Sequence, residues 1–179
     1  MNVKKWNLLA ILFVMVFVIV AGGCGGGGGG GSDSDGKIDP DDQIDLVDEL
    51  LAYADDIISL TNAERLKEGI PALLSDDIDL TKAAFKRALE IETRFEHIRP
   101  DGSSCFTALD DFKVKYVKAG ENIQRRSDWD PANSVLLWMN SPGHKQNILD
   151  PDFTHISVGV YKSSGTYKFY IVQLFIKEK

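Results

Sequence analysis

Cysteine is scarce in this chain, with only Cys24 and Cys105 among 179 residues. Cys24 directly follows an apolar N-terminal segment and is predicted below to carry a lipid, which leaves Cys105 without an intramolecular partner. The sequence therefore excludes a domain held together by disulfide bridges. A single thiol of this kind is more often a small buried apolar residue than a nucleophile, so we expect Cys105 to be buried.

Basic residues are also few relative to acidic ones, at 20 against 27, and the formal net charge is −7. Removal of Lys4 and Lys5 with an N-terminal signal would shift that charge from −7 to −9. A negative balance argues against nucleic acid as a partner and against direct electrostatic binding to anionic lipid. A dedicated nucleophile is missing as well, because Ser103, Ser104 and Cys105 follow a turn and have no base identifiable from the sequence.

Long apolar runs are confined to the N-terminus, where residues 8–21 follow Lys4 and Lys5. The run is short for a membrane-spanning helix of about 20 residues and suits the apolar region of a signal peptide. The residues that follow it, up to Cys24, are similar to a bacterial lipobox, although Ala21 stands where leucine is usual. We expect an extracytoplasmic lipoprotein, anchored through lipidated Cys24 to the outer face of the bacterial cell membrane. A secreted protein with an ordinary signal, or an uncleaved anchor, is the alternative.

The chain then divides into a signal peptide (1–23), a tether (24–40) and one domain (41–179). The tether is rich in glycine, serine and aspartate, so it has little apolar surface to bury and is predicted to be flexible. The remaining length suits a single domain with one core.

Hydrophobic periodicity predicts helices in the first part of the domain and strands at its end. The predicted helices cover 41–67, a segment capped by Asp79 and ending near His97, 107–116 with a capping box of Thr107 and Asp110, a segment opened by Asp130 and Pro131, and a short turn at 144–149. Strands are predicted at 118–125, at 156–161 with one face buried, and at 167–176 with both faces buried. This order predicts an α+β fold, a three-layer α-β-α sandwich with a mostly antiparallel central sheet.

Inside the fourth predicted helix, Val135, Leu136 and Met139 are expected to face the core, and Trp138 is expected to be a core residue. His155, at the start of a strand, is interpreted as a surface residue.

Two of the three histidines stand in short polar signatures, and a carboxylate lies between them in the sequence. His97, Glu121 and His144 could together line one polar cleft that holds a metal ion or polarises a ligand. A hydrogen bond between His97 and Glu121 could equally do no more than satisfy two buried polar groups.

Residues from about 57 to 175 resemble the bacterial branch of the CAP superfamily, also called the SCP domain. The resemblance lies in segments 60–65, 95–104, 120–123, 138–144 and 153–160, which follow in the order of the family. It implies an α-β-α sandwich and a cleft with two histidines and two acidic residues, matched here by His97, Glu121 and His144. Ser141 stands in place of the second acid, so a bound Zn²⁺ or other divalent ion would have three protein ligands and one open position.

Three functions are compatible with this sequence. The first is a binding module, whose cleft of His97, Glu121, Ser141 and His144 takes a metal ion, a small ligand, a lipid or a surface protein. The second is a metal-assisted hydrolase that uses His97, Glu121 and His144 to activate water. The third is a structural or interaction module of the cell envelope, in which the cleft has no role of its own.

Overall fold

The computed structural model describes residues 40–179, with side-chain burial described from Leu46 onward. The predicted signal peptide (1–23), Cys24 and all but the last residue of the predicted tether lie outside the described residues. By its internal contacts the chain divides into Met1–Glu49 and Leu50–Lys179, and the fold below is that of the second unit. None of the helices within residues 40–179 is long and apolar enough to cross a membrane.

Five helices and three strands make up the described chain. In order they are α1 (Pro40–Lys67), α2 (Ile78–Thr93), α3 (Thr107–Asp111), β1 (Tyr116–Arg126), α4 (Pro131–Met139), α5 (Pro142–Ile148), β2 (His155–Lys162) and β3 (Phe169–Glu178). The strands form one antiparallel sheet in the order β1-β3-β2. Helices together with an antiparallel sheet confirm the predicted fold class.

Strand β3 lies in the middle of the sheet and is buried on both faces from Phe169 to Ile176, as predicted. Strand β2 was expected to bury one face only, and this was wrong. Both of its faces are buried, because α2 covers the side that carries Ser157 and Gly159. The Gly159 backbone lies so close to α2 that an added Cβ atom would stand 2.1 Å from the carbonyl oxygen of Ala84.

One cluster of the core lies between α2 and the sheet. Its buried residues are Leu80, Ala83, Ala84, Ala88, Ile91, Leu109, Val114, Ile123, Tyr170, Val172, Leu174 and Ile176. Helix α2 is capped by Asp77, whose carboxylate accepts hydrogen bonds from the backbone N–H groups of Asp79 and Leu80. The predicted cap, Asp79, instead lies in the first turn, and the helix ends at Thr93 rather than near His97.

The segment after α2 also differs from the sequence prediction, which placed a helix at 107–116. Helix α3 spans only Thr107–Asp111, and Lys113 adopts a positive φ of 61°. Tyr116, the expected end of this helix, is the first residue of β1. The prediction of a capping box formed by Thr107 and Asp110 is also wrong, since no side chain caps α3.

Helix α4 begins as predicted, with Asp130 as its N-cap and Pro131 in the first turn. Trp138 is buried, as expected, together with Ser134 and Val135. Leu136 was expected in the core and is exposed, because the buried face of the helix is centred on Val135 and Trp138.

Candidate functional site

Glu121 is the buried centre of the site. It lies on β1 opposite Leu174 of β3, and only 1% of its side chain is exposed. Its Oε1 atom contacts the Nδ1 atom of His97 at 2.9 Å, and its Oε2 atom accepts a hydrogen bond from Nε of Arg87 at 2.8 Å. The structure thus brings together His97 and Glu121, two of the three predicted cleft residues, and adds an arginine that the sequence reasoning missed.

Arg87 lies on the face of α2 that packs against the sheet and is fully buried. Its guanidinium contacts three groups besides Glu121 Oε2. The Nη1 atom donates to Glu90 Oε2 at 2.9 Å, and Nη2 donates to the Glu96 carbonyl at 3.0 Å and to Glu121 Oε1 at 3.3 Å. Arg87 therefore holds both the Glu121 carboxylate and the backbone immediately before His97.

A second arginine extends the ionic contacts away from Glu121. Arg99 Nη2 lies 2.7 Å from Glu90 Oε1 and 2.8 Å from Asp111 Oδ2. The side chains alternate in charge, and we call the set the charge network: Asp111, Arg99, Glu90, Arg87, Glu121 and His97. It links α3, α2 and β1 to the loop that carries His97.

The protonation state of Glu121 follows from these contacts. Burial favours the neutral acid and raises its pKa, but hydrogen bonds from His97 and Arg87, together with the positive charge of Arg87, hold the pKa of Glu121 below its ordinary value. Because a carboxylate can only accept, Nδ1 of His97 must carry the proton. Neutral His97 therefore has its lone pair on Nε2, and 54% of its side chain is exposed.

His144 lies on α5, and its position is set through its backbone. Asn122, the residue after Glu121, donates from Nδ2 to the His144 carbonyl at 3.2 Å and to Gln173 Oε1 at 3.0 Å. Asn147 of α5 in turn donates to Asn122 Oδ1 at 2.9 Å. Burial lowers the pKa of His144, and a positive charge on the His97 ring, present when that ring is protonated, lowers it further. His144 is therefore held as a neutral imidazole at neutral pH.

Successive side chains on a strand point to opposite faces, and β1 uses both faces here. Glu121 meets α2 through Arg87, whereas Asn122 meets Gln173, which donates to Thr61 of α1 at 2.8 Å. One dipeptide in β1 thus fixes the ring of His97 from one layer and the backbone of His144 from the other.

Ser141, the remaining predicted cleft residue, is the N-cap of α5 and is half-buried. Its side chain makes no capping hydrogen bond, and its carbonyl accepts from the N–H of Lys145 at 2.8 Å. The position that the resemblance assigns to a second acid is therefore a helix start in this chain.

Comparison with known proteins places this arrangement in a family. The model of the CAP family, described as the cysteine-rich secretory protein family, matches residues 58–175. The chain belongs to the CAP family. Its CAP domain therefore includes all of the cleft residues predicted from the sequence.

Among curated proteins, the chain is similar to two proteins from Bacillus subtilis (strain 168). It is 41% identical to the uncharacterized protein YkwD over 117 residues, which are 64% of this chain and 44% of YkwD. It is 34% identical to the uncharacterized membrane protein YlbC over 115 residues, which are 63% of this chain and 33% of YlbC. The chain thus spans less than half the length of these relatives.

Among solved structures, the CAP domain is similar to an extracellular protein containing an SCP domain from Bacillus anthracis str. Ames. The identity is 29% and the TM-score 0.67, and the match covers 80% of this chain and 45% of that chain. The α-β-α sandwich expected from the resemblance is thereby confirmed.

The group of potential metal ligands differs from the one expected of a CAP domain. Among the described residues, His97, Cys105 and Glu121 each offer a ligand atom, and these atoms lie within 4.8 Å of one another. Cys105 thus stands in the group, and His144, which was predicted there, does not. Cys105 is buried, as expected, and burial and the Glu121 charge raise the pKa of its thiol to about 12.

These residues do not fit a divalent metal ion as they stand. Both Glu121 oxygens already accept hydrogen bonds, and the guanidinium of Arg87 lies against them. Metal ligands must be deprotonated, so a metal ion would also have to displace the proton of the Cys105 thiol, whose pKa burial raises to about 12. An added cation would share a buried space with Arg87, and like charges at such short range repel strongly.

Sequence reasoning could have found Arg87 from one signal. It falls on the apolar face of α2, at spacings of three and four residues from Ala84 and Ile91. A charged residue on a core-facing stripe requires a buried partner.

Proposed function

We propose that this chain is an exported, membrane-tethered CAP domain that binds a small amphipathic ligand or lipid at the cell surface. The observation that carries the proposal is the His97 imidazole, half exposed yet fixed through Nδ1 on the buried Glu121. Such a ring presents Nε2 as a hydrogen-bond acceptor of fixed direction. A hydroxyl or amide group is the natural partner for that acceptor.

An exposed apolar residue next to His97 in the chain supports an amphipathic ligand. Ile98, the residue after His97, is one of the large hydrophobic side chains that remain exposed, at 40%. Binding sites combine apolar contact with a few fixed polar groups, and His97 with Ile98 supplies one of each. His144 would form the other side of the cleft. Its carbonyl accepts a hydrogen bond from Asn122, the residue that follows Glu121 on β1.

The cellular location and the tether rest on sequence and on relatives. The Bacillus anthracis protein is extracellular by its description, and residues 1–24 of this chain have the form of a lipoprotein signal with Cys24 as the lipidated residue. Partners would then be the membrane, through Cys24, and a small ligand, lipid or surface protein. Nucleic acid is not expected as a partner at a net charge of −7.

The proposal can be tested with a pair of probes that differ in one hydrogen-bond donor. We expect 1-decanol to shift the ¹⁵N resonance of His97 Nε2, whereas decyl methyl ether, which cannot donate, should leave it unchanged. His97→Ala should weaken 1-decanol binding by about 5-fold, since one buried hydrogen bond contributes about 1 kcal/mol. Lys145→Ala, an exposed residue on α5, is the matched control and should bind as the wild type does. Equal binding of alcohol and ether, or undiminished binding by His97→Ala, would refute the proposal.

The hydrolase alternative has one observation in its support, the approach of His97, Cys105 and Glu121 within 4.8 Å, and the hydrogen bonds from Arg87 to both Glu121 oxygens count against it. If a metal ion there activated water, Glu121→Gln should lower turnover of an ester or peptide substrate by a factor of about 10²–10⁴. The structural alternative predicts instead that His97→Ala lowers the melting temperature and leaves 1-decanol binding intact. The three functions are therefore separated by the same small set of variants.

A further inference from the structure

Glu121 already has a counter-cation, and that cation belongs to the protein. We infer that Arg87 occupies the electrostatic place of a metal ion in this CAP domain, so that the site holds His97 in position without metal. The inference concerns the same cleft as the proposed function but does not depend on which ligand the cleft takes.

The contact between Arg87 and Glu121 is a two-point one. Nε donates to Oε2 at 2.8 Å, and Nη2 reaches Oε1 at 3.3 Å. Paired contacts of this kind are the strong, directional form of the arginine–carboxylate interaction. With His97 Nδ1 also on Oε1, three contacts surround a carboxylate that is 1% exposed.

Arg87 cannot give way to an incoming metal ion. It is fully buried, and besides Glu121 it donates from Nη1 to the Glu90 carboxylate and from Nη2 to the Glu96 carbonyl. A guanidinium does not lose its proton in proteins, so the charge stays. A metal ion that displaced it from Glu121 would leave a buried cation with half of its partners.

The charges also balance without an added ion. The buried part of the network holds two carboxylates, Glu90 and Glu121, and two guanidinium groups, Arg87 and Arg99. Lys86 Nζ lies 3.9 Å from Glu90, and Asp111 pairs with Arg99, at the exposed margin. A divalent ion would leave at least one uncompensated positive charge in a neutral buried set, even after it displaced the proton of the Cys105 thiol, and this is strongly unfavourable.

Arg87 is consequently a positioning residue for His97. It fixes the carboxylate that selects the Nδ1–H tautomer, and it binds the carbonyl of Glu96, next to His97 in the chain. Removal of its charge should convert the site into one that accepts divalent metal, because Glu121, His97 and Cys105 would remain while the competing cation would be gone.

The test is a titration of the full-length chain with Zn²⁺ and with Co²⁺. All variants carry Cys24→Ser, so that Cys105 is the remaining thiol. Calorimetry gives the affinity, and Co²⁺ absorption in the thiolate region reports whether Cys105 is a ligand. The variants are Arg87→Met, Arg87→Lys, Glu121→Gln, the double variant Arg87→Met/Glu121→Gln, and Arg94→Met. Arg94→Met is the matched control, since it removes the same charge from a partly exposed arginine paired with Glu96.

We expect Arg87→Met to bind one Zn²⁺ at least about 100-fold more tightly than the parent chain. The double variant should lose this gain, and Arg87→Lys, which keeps the charge, should show none. Arg94→Met should bind as the parent does. A folded Arg87→Met chain without any gain would overturn the inference.

The parent chain provides a second arm that needs no stable Arg87 variant. Its His97 ¹⁵N resonances should show the Nδ1–H tautomer both in chelator and in excess Zn²⁺. One-to-one Zn²⁺ binding that moves these resonances, and that Glu121→Gln weakens by about 10-fold or more, would also overturn it. Failure of the 1-decanol experiment would affect neither arm, so the two proposals can fail separately.

Discussion

Gly159 offers the sharpest test of how the site is supported, because α2, which carries Arg87, rests directly on it. A Cβ atom at position 159 would lie 2.1 Å from the Ala84 carbonyl oxygen and 2.3 Å from its carbonyl carbon. Ordinary contact begins at 3.4 Å, so the helix and the strand must separate by about 1.3 Å in a close-packed interior. The obstacle is backbone, which cannot swing aside as a side chain can.

Overpacking of this kind costs about 3 kcal/mol. At about 2–4 °C per kcal/mol for a chain of this size, Gly159→Ala should lower the melting temperature by about 6–12 °C. Thermal unfolding followed by circular dichroism is a sufficient assay. The same variant should weaken the Arg87–Glu121 contact, because Arg87 lies one helical turn from Ala84.

Two other glycines provide a graded comparison. At Gly120 the nearest atoms are side-chain ends, Phe153 Cζ at 2.9 Å and Asn147 Oδ1 at 3.1 Å, so Gly120→Ala should cost only about 1 kcal/mol. Gly143 lies inside α5 with nothing within 4 Å, so Gly143→Ala should be neutral or stabilise by up to about 1 kcal/mol. A melting temperature for Gly159→Ala within 1 °C of the wild type, or a larger loss in Gly143→Ala, would refute the reasoning.

Three further predictions follow from single contacts. In urea unfolding, Asp77→Ala should destabilise the fold by about 1 kcal/mol and Asp79→Ala by less than about 0.5 kcal/mol, because only Asp77 caps α2. Equal losses of stability would contradict the assignment of Asp77 as the N-cap. The lowered pKa of Glu121 stabilises the folded state above the ordinary carboxyl value of about 4.3, and this stabilisation is lost as pH falls through the lower folded value. Glu121→Gln should accordingly flatten the acid limb of stability against pH, and an unchanged limb would argue against the lowered value. In a Cys24→Ser background, the remaining thiol of Cys105 has a pKa raised to about 12 and should react slowly with a disulfide reagent. At pH 8 we expect the reaction in the folded chain to be at least about 100-fold slower than in guanidinium chloride. Comparable rates would show that the thiol is accessible.

The sequence predicted the elements whose signals are local. Helix α1 ends at Lys67 as its periodicity and the following glycine indicate, and Gly69 has the positive φ of 71° typical of a helix end. The cap at Asp130 and the doubly buried β3 were likewise confirmed. Each of these signals depends on residues within a few positions of one another.

The errors concern burial that depends on distant parts of the chain. The alternation in β2 resembled a half-exposed strand, but Ser157 faces α2, where its hydroxyl donates to Thr81 Oγ1 at 3.0 Å. His155 was interpreted as a surface residue and is buried, close to Asp76 and Glu178. Small or polar side chains give no sequence signal for the element that covers them.

The same distinction applies to the site. The approach of His97 to Glu121 could be proposed from the sequence, and the structure contains it. Arg87 was missed because its partner Glu121 lies 34 positions further along the chain. Cys105 was correctly expected to be buried, but its place beside Glu121 depends on how the turn after His97 folds back, through a hydrogen bond from Cys105 N–H to the His97 carbonyl.

The opposite orientations of Glu121 and Asn122 have a consequence for folding. A slip of β1 by one residue against β3 would turn Glu121 towards Gln173 and Asn122 towards Arg87. Each side of the sheet would then hold a buried charge facing a neutral amide, at a penalty of several kcal/mol. The ion pair therefore disfavours a misaligned β1, because the penalty applies as soon as the closed core buries the unpaired charge.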